Sequence, residues 1–467
     1  MLFLTELLTE LLTELLSVQF DLAADGSKKC SPIHGLSRQD SGMARKSLRI
    51  LLMTHGFPPE SVGGVEQHVE GLARGLAAAG HHVEIFARSS APGEQGALSE
   101  EAWEGCKVTR AVYRWEGLAR LLDLYRNEVM EDALRRFLAG KSFDVAHVHH
   151  LTGLSTGSLD ILRDAGIPAL LTLHDYWIMC PRGQMWHREG NACESVEPDR
   201  CAACLAPTFP AWLADDGGPG GGPEILTQLH ELARQTLGSA TRLLTPSART
   251  IPFYSALGVP AESISVVENG VDTEALENVP PPRTTGPLRV GYLGTVIPSK
   301  GLDVLVDAWS QLPTGTATLE VHGNSVPYHG DDGFMTRVFA GLPPEAAVTY
   351  LGTYTGPDLP RILAGIDVLV APALWHEAFG LTVREAQAAG RPVVVSRIGG
   401  LQDAVTDGVE GYVVPPGDPK SLAIALSDLA ARRGALSAMG AAGRARVRGF
   451  AAMTAELLLH YWEVCRP

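Results

Sequence analysis

The chain has 467 residues, 45% hydrophobic and 19% charged, with a formal net charge of −15. That is enough apolar material for two or three domains with large cores. The acidic balance argues against a nucleic-acid binder, which would carry a basic face, but leaves room for a local basic pocket for phosphate.

The first stretch, "MLFLTELLTELLTELLSVQF", repeats Thr-Glu-Leu-Leu three times between Thr5 and Leu16. Period four predicts an amphipathic helix with a drifting leucine stripe. Glu6, Glu10 and Glu14 interrupt the apolar run and the first basic residue is Lys28, which disfavours a signal peptide or a membrane span. Residues 1–42 read as an unstructured or wrongly assigned extension, with Met43 as an alternative start. A docking or membrane-surface helix is the other reading.

From Leu48 onward, short apolar runs alternate with helical spacing. "LRILLMT" reads as a buried strand, and "GGVEQHVEGLARGLAAAG" as a helix with Val65, Val69, Leu72 and Leu76 on one side. "HHVEIFAR", "FDVAHVHH", "PALLTLHD", "TRLLTPS" and "SISVVENGVD" read as further strands. This alternation predicts an α/β domain with a parallel sheet covered by helices, over residues 43–280. "DDGGPGGGPE" reads as a flexible loop on its acceptor side.

Pro280 to Pro282 make a stiff connector, after which the pattern restarts. "LRVGYLGTV", "ATLEVHG", "AVTYLGTY", "DVLVAPAL", "RPVVVS" and "GYVVPPG" read as strands, with "GLDVLVDAWSQL" a helix. This predicts a second doubly wound, Rossmann-like domain over residues 287–446. Residues 447–467 form a last amphipathic helix that crosses back to the first domain. The two sheets then face each other across a cleft, with the strand C-terminal ends lining it.

The stretch "HEAFGLTVREAQAAG" carries the chemistry. A helix begins near Leu381, and Gly380 before it lets a ligand approach free N–H groups and the positive end of the helix dipole, a natural seat for a diphosphate. Glu385 lies one turn in, placed to accept hydrogen bonds from a ribose, while Glu377 precedes the helix and is placed to accept them from a transferred sugar. Phe379 shapes the loop beneath. A surface helix with two solvated acids, or a hydrolase with paired carboxylates, are the competing readings.

"APALWHEAFGLTVREAQAAGRPVVVS" resembles the Glu-x7-Glu signature of retaining glycosyltransferase family four, which has the two-domain GT-B fold. The blocks around "FPPESVGGVEQHVEGLARGLAAAG", "FDVAHVHH", "PALLTLHDYWIMCPRG", "VVENGVD" and "GYLGTVIPSKGLDVLVDAW" resemble that family in order. The resemblance implies transfer of a hexosyl group from a UDP-, GDP- or ADP-sugar to an acceptor hydroxyl on a sugar, lipid-linked or glycan molecule. It implies no metal cofactor for catalysis, no nucleic-acid partner, and a cytoplasmic site of action, with peripheral contact at the inner face of the membrane as a further expectation. It assigns Gly63 and Gly64 to the donor phosphates or the acceptor, Lys300 to the diphosphate, Glu377 to the donor sugar and Glu385 to the ribose. His174 is assigned to the reacting sugar. His147, His149 and His150 read as cleft lining or packing, and Asn269 and Gly270 as shaping an interdomain loop. Where many members have a second cation after the phosphate-strand glycine, this chain has Thr295; Arg182 and Arg249 are the candidate substitutes. An inactive nucleotide-sugar binder, or a sugar phosphorylase or synthase on the same fold, are the alternatives.

Four of the seven cysteines, Cys180, Cys193, Cys201 and Cys204, crowd into the segment 180–204. Cys201-x2-Cys204 is half of a thiolate knuckle, so a structural zinc is expected there, with an iron–sulfur cluster, disulfides or free thiols as the other readings.

Overall fold

The computed structural model describes residues 47–213, 222–328, 331–340, 342 and 344–466. The expectations for residues 1–42, for Met43 and for most of the glycine loop fall outside the described residues.

Two sheets organise the chain. The first has eight strands in the order Ile264–Val266, Arg242–Thr245, Ala169–Thr172, Val145–Val148, Arg49–Thr54, His82–Ser89, Cys106–Val112 and Leu98–Trp103. All neighbours pair in parallel except the last two. That edge hairpin is not legible from the alternation. Leu98–Trp103 is polar and largely exposed, and the hairpin depends on a two-residue turn in which Glu104 and Gly105 take φ of 45° and 82°. Two positive φ values match the right-handed twist of the flanking strands.

The second sheet runs Val348–Gly352, Ala317–His322, Leu288–Leu293, Val368–Ala371, Val393–Ser396 and Gly411–Val414, all parallel. Its chain order, 3-2-1-4-5-6, is that of a dinucleotide-binding sheet. The order reverses between Leu288–Leu293 and Val368–Ala371, and in the first sheet between Arg49–Thr54 and Val145–Val148. Ligands bind open α/β sheets beyond the strand carboxyl ends at such reversals.

The final helix, Phe450–Val464, packs on Gly64–Ala78 of the first domain. Gly71 and Gly75 permit the approach: a Cβ on either would lie 2.3 Å from Phe450 or Thr454. The helix buries Met453, Leu457, Leu458 and Tyr461, worth about 6–12 kcal/mol gross at about 1.5–3 kcal/mol per side chain. Tyr461 donates to or accepts from His147 Nδ1 at 2.6 Å, and His147 Nε2 meets Thr172 Oγ1 at 2.7 Å. His147 is therefore packing, fully partnered. Gly270 is a close approach too, since its Cβ would lie 2.9 Å from the Phe450 backbone. Among the described residues no helix is long and apolar enough to cross a membrane.

The second domain rests on a buried ionic knot away from the cleft. Asp367 is fully buried and accepts from Arg289 at 2.6 Å and Arg433 at 2.7 Å. Burial works to raise its carboxyl, but the hydrogen bonds from Arg289, Arg283 and Arg433 outweigh it and hold it at about 2. Its folded value is depressed, so its contribution is present above the unfolded value and is lost as pH falls from about 4 to about 2. Asp367→Ala strands two guanidinium groups, and urea titration at pH 7 is expected to show a loss of about 3–5 kcal/mol.

Candidate active site

The donor-side residues come from the two loops at the reversal of the second sheet. After Leu288–Leu293 the chain forms the short turn Pro298–Lys300. Gly301, at φ 71°, then packs so tightly that a Cβ would lie 2.0 Å from Pro372 O. This clamps Lys300 against the loop that follows Val368–Ala371. Lys300 Nζ donates to Glu377 Oε2 at 2.5 Å and lies 5.2 Å from the centre of the Trp375 ring.

The Glu377 loop is held from below. Gly400 N–H donates to Glu377 O at 2.6 Å. A Cβ on Gly399 or Gly400 would lie 2.4 Å from Glu377 O or 2.3 Å from Ala378 O. Nothing in the helix-opening motif points to these two glycines; "IGGL" shortly after the strand Val393–Ser396 is the available signal. Gly380 caps the helix Leu381–Ala388 in the left-handed conformation, φ 79° and ψ 63°. Phe379 is buried beneath, with the Arg384 guanidinium 5.0 Å from its ring centre. Glu385 is buried in this helix, and desolvation pushes its carboxyl up to about 7. A carboxylate desolvated in this way is favoured by a partner that brings hydroxyl donors to it.

Facing this helix is the start of Gly64–Ala78, capped by Gly63. A Cβ on Gly64 would lie 3.8 Å from Leu381 Cδ2, so the two helix openings meet across the cleft. Glu66 stays close to this loop, accepting from Ser61 Oγ at 2.5 Å and lying 3.4 Å from His55 Nε2.

Behind that helix opening lies a group of histidines. His174 follows the strand Ala169–Thr172, and its Nε2 is 3.3 Å from His149 Nδ1. Ring centres of His68 lie 4.8 Å from His174 and 5.0 Å from His149. Burial pushes His68 down to about 3 and carries His149 and His174 well below the usual imidazole range, with their neighbours adding to the effect. His150 pairs instead with Asp175 at 3.2 Å. Burial works to raise the Asp175 carboxyl, but His150 and the Trp177 amide hold it below its ordinary value. By sequence alone His149 reads as lining or packing, and His68 is not singled out, because it lies inside a helical pattern that explains it without function.

The description "Glycosyltransferase Family 4" matches residues 62–275, and "Glycosyl transferases group 1" matches residues 287–432. The chain belongs to glycosyltransferase family four. It is 26% identical over 386 residues to a glycogen synthase of Mycobacterium tuberculosis, covering 81% of this chain and 85% of that one. In fold it is similar to the sucrose-phosphate synthase of Thermosynechococcus elongatus, with a TM-score of 0.65 and 23% identity over 89% of this chain and 99% of that one. It is similar also to HepE of Anabaena, whose structure is in complex with UDP-glucose, with a TM-score of 0.62 and 16% identity over 89% and 99%. The fold is thus GT-B, and the protein is a glycosyltransferase.

Of the two candidate substitutes for the cation missing at Thr295 in this glycosyltransferase, Arg249 is engaged elsewhere. It donates to Asp403 at 3.0 Å, beside Ser247, which donates to the same carboxylate at 2.7 Å. These contacts join the two domains on one side. Arg182 lies on the other side, its guanidinium 5.2 Å from the Tyr328 ring centre. The neighbouring Gln184 accepts from Ser299 Oγ at 2.7 Å and Tyr328 at 2.6 Å. The cysteine-rich segment therefore reaches across to the turn that carries Lys300.

Within that segment Cys180, Cys193, Cys201 and Cys204 are free thiols. Burial pushes Cys193 up to about 11 and Cys201 up to about 12. Burial also raises Cys180, which the amides of Met185 and Arg182 pull partly back, and Arg188 N–H donates to Cys204 Sγ at 3.3 Å. The four sulfurs are not among the sets of three ligand atoms gathered within 4.8 Å; the one such set among the described residues is His68, His149 and His174.

Proposed function

We propose that this glycosyltransferase moves a hexosyl group from a nucleoside diphosphate sugar to an acceptor hydroxyl with retention of anomeric configuration, in the synthesis of a polysaccharide or glycoconjugate. The observation that carries this reading is the Lys300–Glu377 pair, 2.5 Å apart, beside the open N-terminus of Leu381–Ala388. It sets a cation and amide donors where a leaving diphosphate gathers charge, and a carboxylate where sugar hydroxyls would lie. Glu385, buried in the same helix, supports a ribose seat. Structural similarity to a protein in complex with UDP-glucose is consistent with such a donor.

In this mechanism the anomeric carbon–phosphate oxygen bond breaks as Lys300 and the helix amides take up the charge on the leaving diphosphate. The acceptor hydroxyl attacks from the same face, and its proton passes to the departing phosphate oxygen. His174 and the Gly63–Gly64 loop face the reacting sugar from the first domain. Closure of the cleft keeps out water, whose attack would waste the donor. The free state of the described cysteines accords with a cytoplasmic setting, where thiols stay reduced. Acceptors at the inner membrane face belong to the same reading.

A thermal-shift screen against UDP, GDP, ADP and their sugars tests the donor. The cognate nucleotide at 100 times its Kd is expected to stabilise the protein by about 2.7 kcal/mol. The anomeric configuration of the first product, read by proton NMR, tests retention. No shift with any nucleotide and no transfer would defeat the reading. A structural zinc on the four thiols also stands as a proposal: it requires about one thiol-bound ion per chain that disappears in Cys201→Ser.

A further inference from the structure

We propose that Arg182, carried by the cysteine-rich segment of the first domain, is the second cation of the donor site and reaches across the cleft to the sugar-bearing phosphate that Lys300 meets. The assignment rests on the transfer reading above and adds a residue to it.

The local sequence mounts the arginine on a tight turn. In Cys180-Pro181-Arg182-Gly183, the Gly183 N–H donates to Cys180 O at 2.7 Å. Proline at the second position and glycine at the fourth are residues that such a turn takes. Gly183, at φ 74°, turns the chain back, and its carbonyl accepts from the Tyr176 amide at 3.2 Å. Tyr176 is fully buried, shortly after the strand Ala169–Thr172. The turn is therefore fixed to a strand end of the first sheet.

Tertiary packing carries this turn over the second sheet. Ser299 follows the strand Leu288–Leu293, and Tyr328 follows its parallel neighbour Ala317–His322. Gln184, two residues beyond Arg182, accepts from both, Ser299 Oγ at 2.7 Å and Tyr328 at 2.6 Å. Arg182 itself hydrogen-bonds the Tyr328 side chain, with its guanidinium 5.2 Å from the ring centre. Arg182 thus lies beyond strand carboxyl ends, where open sheets take ligands, beside the turn that carries Lys300. Lys300 is on the sugar side, against Glu377, so the phosphate within reach of both cations is the one that bears the sugar.

Gln184 already ties the segment to the second domain, so a strap alone needs no charge at Arg182. The chain holds 53 acidic residues against 38 Lys and Arg, and the other cations considered for the diphosphate are paired, Lys300 with Glu377 and Arg249 with Asp403. Among the described residues no carboxylate pairs with Arg182, and its Nε is buried without a hydrogen-bond partner. A half-buried guanidinium in this state favours an incoming anion, and its planar fork suits phosphate oxygens. Lys300 must leave a carboxylate to meet the diphosphate; Arg182 has none to leave.

Calorimetry on the full-length protein, with UDP beside UMP, GDP beside GMP and ADP beside AMP and no sugar present, tests this. Arg182→Gln is expected to weaken the diphosphate that the parent binds by about tenfold or more, through loss of charge-assisted hydrogen bonds, while the monophosphate of the same base changes by less than about twofold. Arg182→Lys keeps the charge without the fork and should recover part of the loss. Unchanged diphosphate affinity in Arg182→Gln would overturn the proposal. Equal losses for diphosphate and monophosphate would overturn it too, since they mark a residue that only holds the cleft in shape. If Arg182→Gln does not fold, Arg182→Met, which keeps the apolar stem, takes its place. A parent that binds no diphosphate defeats the transfer reading as well, whereas a parent that binds one no more tightly than the variant defeats this assignment alone.

Discussion

Lys300→Ala is expected to cut sugar transfer by roughly 10²–10³-fold, the loss of about 3–4 kcal/mol seen when a preorganised charge-stabilising group is removed. The fall should appear in kcat more than in KM, because the charge that Lys300 meets develops as the leaving group departs. Steady-state rates with the cognate donor measure it, and a variant within twofold of the parent would remove Lys300 from the mechanism. The structure adds a sharper companion result. In the free protein Lys300 Nζ is held 2.5 Å from Glu377 Oε2, so a diphosphate must draw the lysine away from that carboxylate. Glu377→Gln frees the lysine while removing the charged acceptor for sugar hydroxyls. Nucleoside diphosphate alone should then bind at least as tightly as to the parent, while transfer falls. Calorimetry with the diphosphate, beside the rate, separates this from a general loss of the fold.

The second large effect is expected at Glu385, and it has opposite signs in the free and bound protein. Desolvation raises its carboxyl to about 7, and Tyr354 is the titratable neighbour, itself pushed up by burial and by Glu385. Between the ordinary glutamate value and about 7, the folded chain keeps a proton that the unfolded chain has lost. Stability from this residue therefore falls as pH rises through that window, by about 3 kcal/mol at most. Glu385→Gln removes the effect, so the free variant should be more stable than the parent at pH 8 and about equal near pH 4.5. Nucleotide-sugar binding should run the other way. It should weaken about 10–100-fold in the variant, through loss of charge-assisted hydrogen bonds worth about 1.5–3 kcal/mol, and in the parent it should be tighter at pH 8 than at pH 6. Equal pH dependence in parent and variant would show that Glu385 does not set either behaviour.

The sequence by itself determined the two-sheet architecture, because strands buried on both faces must be apolar throughout and the helices between them must keep one apolar stripe. "LRILLMT" and "DVLVAPAL" say so without help. It determined the helix opening at Gly380 as well, since a glycine before a helical run after a strand is a local signal. It did not reveal the Leu98–Val112 hairpin, whose outer strand is polar and whose turn is set by two backbone angles. Nor did it show that Gly399 and Gly400 cradle the Glu377 loop, or that Arg249 is held by Asp403.

Only the tertiary structure decided which charged and polar groups meet. Lys300 and Glu377 are 77 residues apart, and Ser247 and Asp403 are 156 apart. His68 entered the imidazole cluster from a helix whose apolar stripe explains it as packing. Periodicity is a property of neighbours along one element, so it reports which face is buried. It carries no information about what that face meets. That depends on where sheet order reverses and how two domains face each other, and these are settled only when the whole chain packs.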